Sequence, residues 1–249
     1  MERLELDGGM AANIEGSAAI RVKDGVAADI FIRPKNSADI SVTLGKGCDV
    51  RTYVIMESSP RLNLTIDVGE GSVAHSAYVY FRGAKVSARS LLTGRKAKAY
   101  DLHVFIQKDE MELALDSLLQ HSARDTEGDI LVKGVVAGKA GAALGGLIKI
   151  DKGASGAKSH LGEHVMILGE NAHASANPRL EIENNEVASR HSASVSRIDG
   201  EKLFYLMSRG LARIDAEKLA VEGFLESPLS RIRDEKMRGM FMRLVQNAL

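Results

Sequence analysis

Between Ala18 and Val195 the chain reads as short runs of alternating apolar and polar residues, split by turn signals. AAIRV precedes KDG, ADIFIRP precedes KNS, and ADISVTLG precedes KGC. RLNLTIDVG, SVAHSAYVYF, AKVSARSLL, KAYDLHVFI, GDILVKGVV, GGLIKI and HVMIL follow. Alternation at period two predicts strands with one buried face, and runs on the order of 10 residues apart predict many of them. Ile130, Val132, Gly134 and Val136 share one inward face. EMELALDSLLQHSA, from Glu110, also fits a helix by its leucine spacing, so helix and strand both stay open there. Asp24-Gly25 is the one Asp-Gly pair between two strand-like runs, which favours strands stacked coil on coil over a meander of hairpins. A sandwich or barrel and a solenoid both remain compatible with the pattern.

From Asp199 the period changes to that of helices. Asp199 is the expected N-cap of GEKLFYLMSR, Gly210 its stop, and Leu203 and Met207 share a face. A second helix is expected after a cap at Asp215, holding Leu219 and ending near Gly223. A third is expected with Ser227 as cap and Pro228 at its first position. Leu229, Ile232, Met237, Met240, Phe241, Leu244 and Val245 form its apolar stripe, read as core. The division expected is 1–198 for the strand-rich core and 199–249 for a small helical domain covering an open edge of the solenoid.

Composition narrows the function classes. Lys plus Arg and Asp plus Glu both number 33, so no basic footprint for nucleic acid stands out. No apolar run approaches the about 20 residues that span a bilayer, and the N-terminus lacks the pattern of a secretory signal. A soluble cytoplasmic protein is the expectation. A lone cysteine, Cys48, excludes an internal disulfide and reads as an ordinary buried small residue. No GxxxxGK[ST] is present, and TGRKAK lacks its glycine spacing, so P-loop hydrolysis of ATP is not expected. His160 and His164 stand four apart in strand-like sequence and are not read as a metal pair.

The chemistry-bearing stretch is PRLEIENNEVASRHSASVSRIDGEKLFYLMSRGL, from Pro178 to Leu211. Its residues alone leave two readings of His191. Imidazole ligates iron, but Val187, Ser189, His191, Ala193 and Val195 share a fairly apolar face, which suits a core histidine. Glu181 and Glu183 share the opposite face to Leu180 and Ile182, as metal ligands or as a solvated face. Asn184 and Asn185 suit a turn and offer oxygen ligands.

The ordered pattern P-x-L-x-I, H-x-A-x-x-x-R-I and LFY-L-x-S-RG resembles the C-terminal signature of the SufB/SufD proteins, scaffolds of iron–sulfur cluster assembly. The resemblance is carried from Val135 to Phe224. It implies a mainly β fold, a right-handed parallel β-helix followed by a small C-terminal helical domain. It implies a non-enzymatic scaffold that dimerises through its β-helix, with itself or with a SufB-like protein. It implies docking of an ABC-type ATPase, SufC-like, on the helices, with Leu203, Phe204, Tyr205, Arg209, Gly210 and Phe224 as candidate contacts. His191 matches the SufD-branch interface histidine, with Glu181, Glu183 and Asn185 as neighbours for a transient iron–sulfur cluster; no nucleotide, nucleic acid or membrane is expected to bind this chain. The chain departs from SufB in lacking a cysteine in Gly162 to Gly169 and in placing Ser192 after His191, so the expectation is SufD-like. One cysteine cannot supply the roughly four thiolates that clusters commonly take. The helical region that precedes the β-helix in the family has no counterpart before Ala18, as in a minimal version. The alternatives are a carbohydrate-active β-helix enzyme using Glu181 and Glu183, disfavoured by five Tyr, six Phe and no Trp, and a purely structural assembly module.

Overall fold

The computed structural model describes residues 2–8, 11–57 and 61–248. Among these the strands make two sheets, and nearly every pairing joins a strand to the second one after it, in parallel. One sheet holds β1 (Glu2–Leu6), β3 (Ala18–Val22), β5 (Ala38–Leu44), β7 (Arg61–Val68), β9 (Ala84–Leu92), β11 (Glu112–His121), β13 (Gly141–Ile150) and β15 (His173–Ala176), with β16 (Arg179–Ile182) also on β13. The other holds β2 (Ala11–Ile14), β4 (Ala27–Ile32), β6 (Asp49–Met56), β8 (Val73–Tyr80), β10 (Lys98–Gln107), β12 (Glu127–Ala137), β14 (Lys158–Leu168) and β17 (Ala188–Arg197). The chain thus alternates between sheets, rung upon rung, as a parallel β-helix-like solenoid. EMELALDSLLQHSA resolves as strand β11.

The turns between sheets stack as well. Gly25, Gly47 and Gly71 sit at positive φ, and each donates its N–H to a carbonyl one rung on, from Lys46, Glu70 and Arg95. The third member of that series hands over to Lys96 and Asp125, non-glycine residues in the same left-handed region, near +60°. Strands lengthen along the chain, from 5 residues in β3 to 11 in β14.

Two cores result. The first fills the space between the sheets, from Ile14 and Ile30 to Leu161 and Val165, and contains Ile130, Val132 and Val136 together, as the alternation predicts. The second lies on the outer face of the even-numbered sheet. There Tyr53, Ile55, Val79, Val104 and Val135 meet Val221, Leu225, Leu229, Phe241 and Val245. Strands β6, β8 and β10 are therefore buried on both faces toward their C-terminal ends, whereas β11 and β13 alternate because one face meets water.

The helices are α1 (Gly200–Ser208), α2 (Arg213–Leu229) and α3 (Glu235–Ala248). Asp199 caps α1 through its carboxylate, which accepts from the Glu201 N–H at 3.0 Å, and Gly210 follows it at φ +98°. The second helix departs from expectation. It starts at Arg213, runs through Gly223 and carries Pro228 in its last turn, so Ser227 and Pro228 do not open a third helix. Burial decides this. Val221, Leu225 and Leu229 form an i, i+4 stripe against the second core, at about 1.5–3 kcal/mol each, which outweighs the about 1 kcal/mol that Gly223 costs. Rather than covering an open edge, α2 and α3 lie on a sheet face. No described helix is long and apolar enough to cross a membrane.

Candidate functional site

The last rung is where the signature residues fall. In it, β17 pairs with β14, and β15 and β16 pair with β13; their outer edges have no strand partner among the described residues. His191 lies opposite Leu161 in register, so it occupies the phase that faces the first core. It is nevertheless exposed, because among the described residues no further rung covers it. The core-histidine reading therefore fails. The apolar face that suggested it is real, but it opens to solvent, and Val195 on it is 39% exposed. Ile182, on the opposite sheet, is exposed in the same way.

Glu181 lies opposite Lys149, and the Glu183 N–H continues the ladder to the Ile150 carbonyl at 2.9 Å. Both carboxylates are exposed, on the other sheet from His191. Asn184 makes the expected turn: its side chain donates to the Lys152 carbonyl and accepts from the Glu186 N–H, each at 2.8 Å. Asn185 beside it is exposed. Nowhere among the described residues do three His, Cys, Asp or Glu side chains converge as a metal site.

The candidate helix residues divide into two groups. Phe204 is 75% exposed and Tyr205 is also exposed, with the Arg209 guanidinium 5.3 Å from the Tyr205 ring centroid. Ile214 and Leu219 on α2 add exposed apolar surface. Leu203, by contrast, is buried. Phe224 packs on the second core, its ring 4.8 Å from the Lys133 ammonium. Gly210 serves as the helix stop.

Sequence reasoning missed a set of polar groups inside the solenoid. Asp101, His103, Gln107, Ser117, His121 and Glu163 are all buried. Ser90 donates to Asp101 at 2.7 Å, Tyr80 and His103 share a hydrogen bond at 2.8 Å, and the Tyr78 ring stacks on His103 at 4.2 Å. Burial raises Asp101 to about 6 and Glu163 to about 7, and lowers His103 to about 3 and His121 to about 4. One oxygen of each carboxyl and one nitrogen of each imidazole has no protein partner. The signal was available: each sits in the buried phase of its strand, as Glu163 does between Leu161 and Val165. Cys48 is buried as expected, its thiol toward the Lys23 carbonyl at 3.0 Å.

These features define a β-solenoid protein with a helical arm on one sheet and an open final rung. Residues 20–224 match the family described as SUF system FeS cluster assembly, SufBD core domain. The iron–sulfur cluster assembly protein SufD of Bacillus subtilis (strain 168) is 33% identical over 143 residues, 57% of this chain and 33% of that protein. A SufBD family protein of Mycobacterium leprae (strain TN) is 31% identical over 135 residues, 54% of this chain and 16% of that protein. Another from Mycobacterium bovis (strain ATCC BAA-935 / AF2122/97) is 27% identical over 192 residues, 73% of this chain and 48% of that protein. The chain belongs to the SufBD family of iron–sulfur cluster assembly proteins, and its matches span half or less of the length of these relatives. The match reaches well upstream of Val135, into strands whose resemblance is faint by eye.

Proposed function

We propose that this chain is a SufD-like, non-enzymatic scaffold that handles an iron–sulfur cluster as cargo. It docks an ABC-type ATPase, SufC-like, on its helical arm, residues 199–249, and pairs through the open rung of its β core, residues 1–198, with a second copy or a SufB-like partner. The observation that carries the reading is the outward pair Phe204 and Tyr205: two large side chains left in water on a short helix whose Leu203 is buried. Exposed apolar clusters of this kind favour partner surfaces, where aromatic residues concentrate. Arg209 beside Tyr205 adds a cation to the same surface. ATP-driven movement of the ATPase then shifts the scaffold pair between states and reshapes the surroundings of His191. With no complete ligand set among the described residues, a cluster at His191 takes further ligands from the partner, and Glu181, Glu183 and Asn185 are its candidates from this side.

The carbohydrate reading loses its footing. Glu181 and Glu183 stand exposed on a terminal rung, whereas acid–base carboxylates for glycoside chemistry flank a bound sugar across a cleft.

The test is a pull-down from the host's cytosol with the full chain, a truncation after Ile198, and Phe204→Ala/Tyr205→Ala. The expected result is an ABC-type ATPase with the full chain, lost with the truncation and reduced at least tenfold with the double variant. Equal recovery with the double variant rules out this docking surface, and no ATPase with any form rules out the scaffold assignment.

A further inference from the structure

A cavity of about 280 Å³ lies between the outer face of the even-numbered sheet and the link from α2 to α3. It is separate from the last rung and from Phe204 and Tyr205. One wall is a register row: Arg51 pairs with His75, His75 with Tyr100, and Tyr100 with Asp129 on successive strands. The His75 and Tyr100 rings stack at 5.1 Å, 15° from parallel. Tyr53 and Leu102 supply apolar floor. The roof is Arg231, Ile232 and Arg233. Ile232 is buried in the second core and pins the link, so its two neighbours flank it over the cavity.

The charges of this wall are unevenly satisfied. Arg51 is held by Asp29, with Nη2 donating at 3.0 Å, and the Tyr100 hydroxyl donates to Glu127 at 2.8 Å. Arg231 and Arg233 have no ion-pair partner among the described residues, and the acidic side chains in the lining are Asp129 and the buried Asp101. Asp234, next to Arg233, accepts from the Met237 N–H at 3.0 Å, and its charge also reaches Arg51 and Tyr53 in the lining. The charge of Arg233 is felt at His75 and Tyr100, and that of Arg231 at His160 and Lys133, so both act toward the sheet. Burial, with help from Arg233 and Arg51, keeps the His75 imidazole toward its neutral form, in which it offers a flat face and no competing charge.

We propose that this cavity binds a small aromatic anion, its acid group between Arg231 and Arg233 and its ring on the His75–Tyr100 stack. Guanidinium groups recognise carboxylate and phosphate oxygens through a planar fork of donors. Stacked rings beside an apolar floor select a flat body over a bare ion. The volume suits a single ring rather than a dinucleotide.

The experiment is calorimetric titration of the full chain with phenyl phosphate, and with inorganic phosphate as the ringless comparison. The expected result is saturable one-to-one binding of phenyl phosphate, at least tenfold tighter than inorganic phosphate. Arg231→Ala/Arg233→Ala should weaken it at least tenfold at an unchanged melting temperature, since both side chains are exposed. Tyr100→Leu should reduce phenyl phosphate to the level of the bare ion. No saturable binding at millimolar phenyl phosphate, or undiminished binding in the double arginine variant, overturns the proposal. If Tyr100→Leu does not fold, the arginine variant and the comparison of the two ligands decide it alone.

Discussion

Four buried groups inside the solenoid carry opposite pH dependences. Asp101 and Glu163 keep their protons to about 6 and about 7 in the folded chain, against 3.8 and 4.5 when free. Their contribution is full below those lower values and is lost as pH rises through the folded ones. His103 and His121 ionise at about 3 and about 4 when folded, against 6.5 free. Their contribution is full above 6.5 and is lost as pH falls toward the folded values. The shifts are comparable in size, so between about pH 5 and 7 the two pairs oppose each other. Asp101→Asn/Glu163→Gln removes one side of the balance. Its melting temperature should fall by several degrees from pH 7 to pH 5, while the parent changes less; matching profiles in a fluorimetric melt contradict the assigned ionisation states. The same residues explain a local failure of sequence reading. In β11 the buried phase is Leu113, Leu115, Ser117, Leu119 and His121. Two polar side chains on the inner face broke the alternation and left the leucines at helix-like spacing. His191 posed the converse difficulty, because an apolar face predicts burial only where another layer follows.

At the scale of elements, α2 and α3 hold against the sheet chiefly through large buried side chains, with Phe241 fully enclosed and 6.2 Å from the Tyr53 ring. Phe241→Ala should cost about 3–5 kcal/mol. It should also expose the outer faces of β6, β8 and β10, read as faster amide exchange at Ile55, Val79 and Val104 than at Ile30 or Val132 in the first core. Uniform exchange across both cores would show that the helices and the solenoid unfold as one unit. Helix α1 was legible to within one residue because its signals are local: a capping carboxylate at Asp199 and a left-handed stop at Gly210. Helix α2 was not. Ser227-Pro228 is a strong local start signal, and only the tertiary stripe of Val221, Leu225 and Leu229 overrides it. The same covering turned VAHSAYVYF and KAYDLHVFI into nearly continuous apolar runs, a sign of strands buried on two faces.

For the whole molecule, period-two alternation is common to sandwiches and solenoids, since pairing to the second strand along leaves no mark within a strand. The recurring positive-φ turns at Gly25, Gly47 and Gly71 are the nearest local sign of coils, and the family resemblance supplied the rest. The open final rung makes a prediction at this scale. Ile182→Asp/Val195→Asp places charges on exposed apolar positions of that rung and, if the proposed pairing uses it, should weaken that pairing at least tenfold by analytical ultracentrifugation. Unchanged association moves the contact elsewhere. An unpaired edge of this kind is also a template on which further chains can add without end. Among the described residues the longest unpaired edge belongs to β17, 10 residues long, beside β15 and β16 of 4 residues each on the other sheet. Whatever covers β17 therefore ends such growth, and a chain that leaves β17 bare keeps a place for the next one.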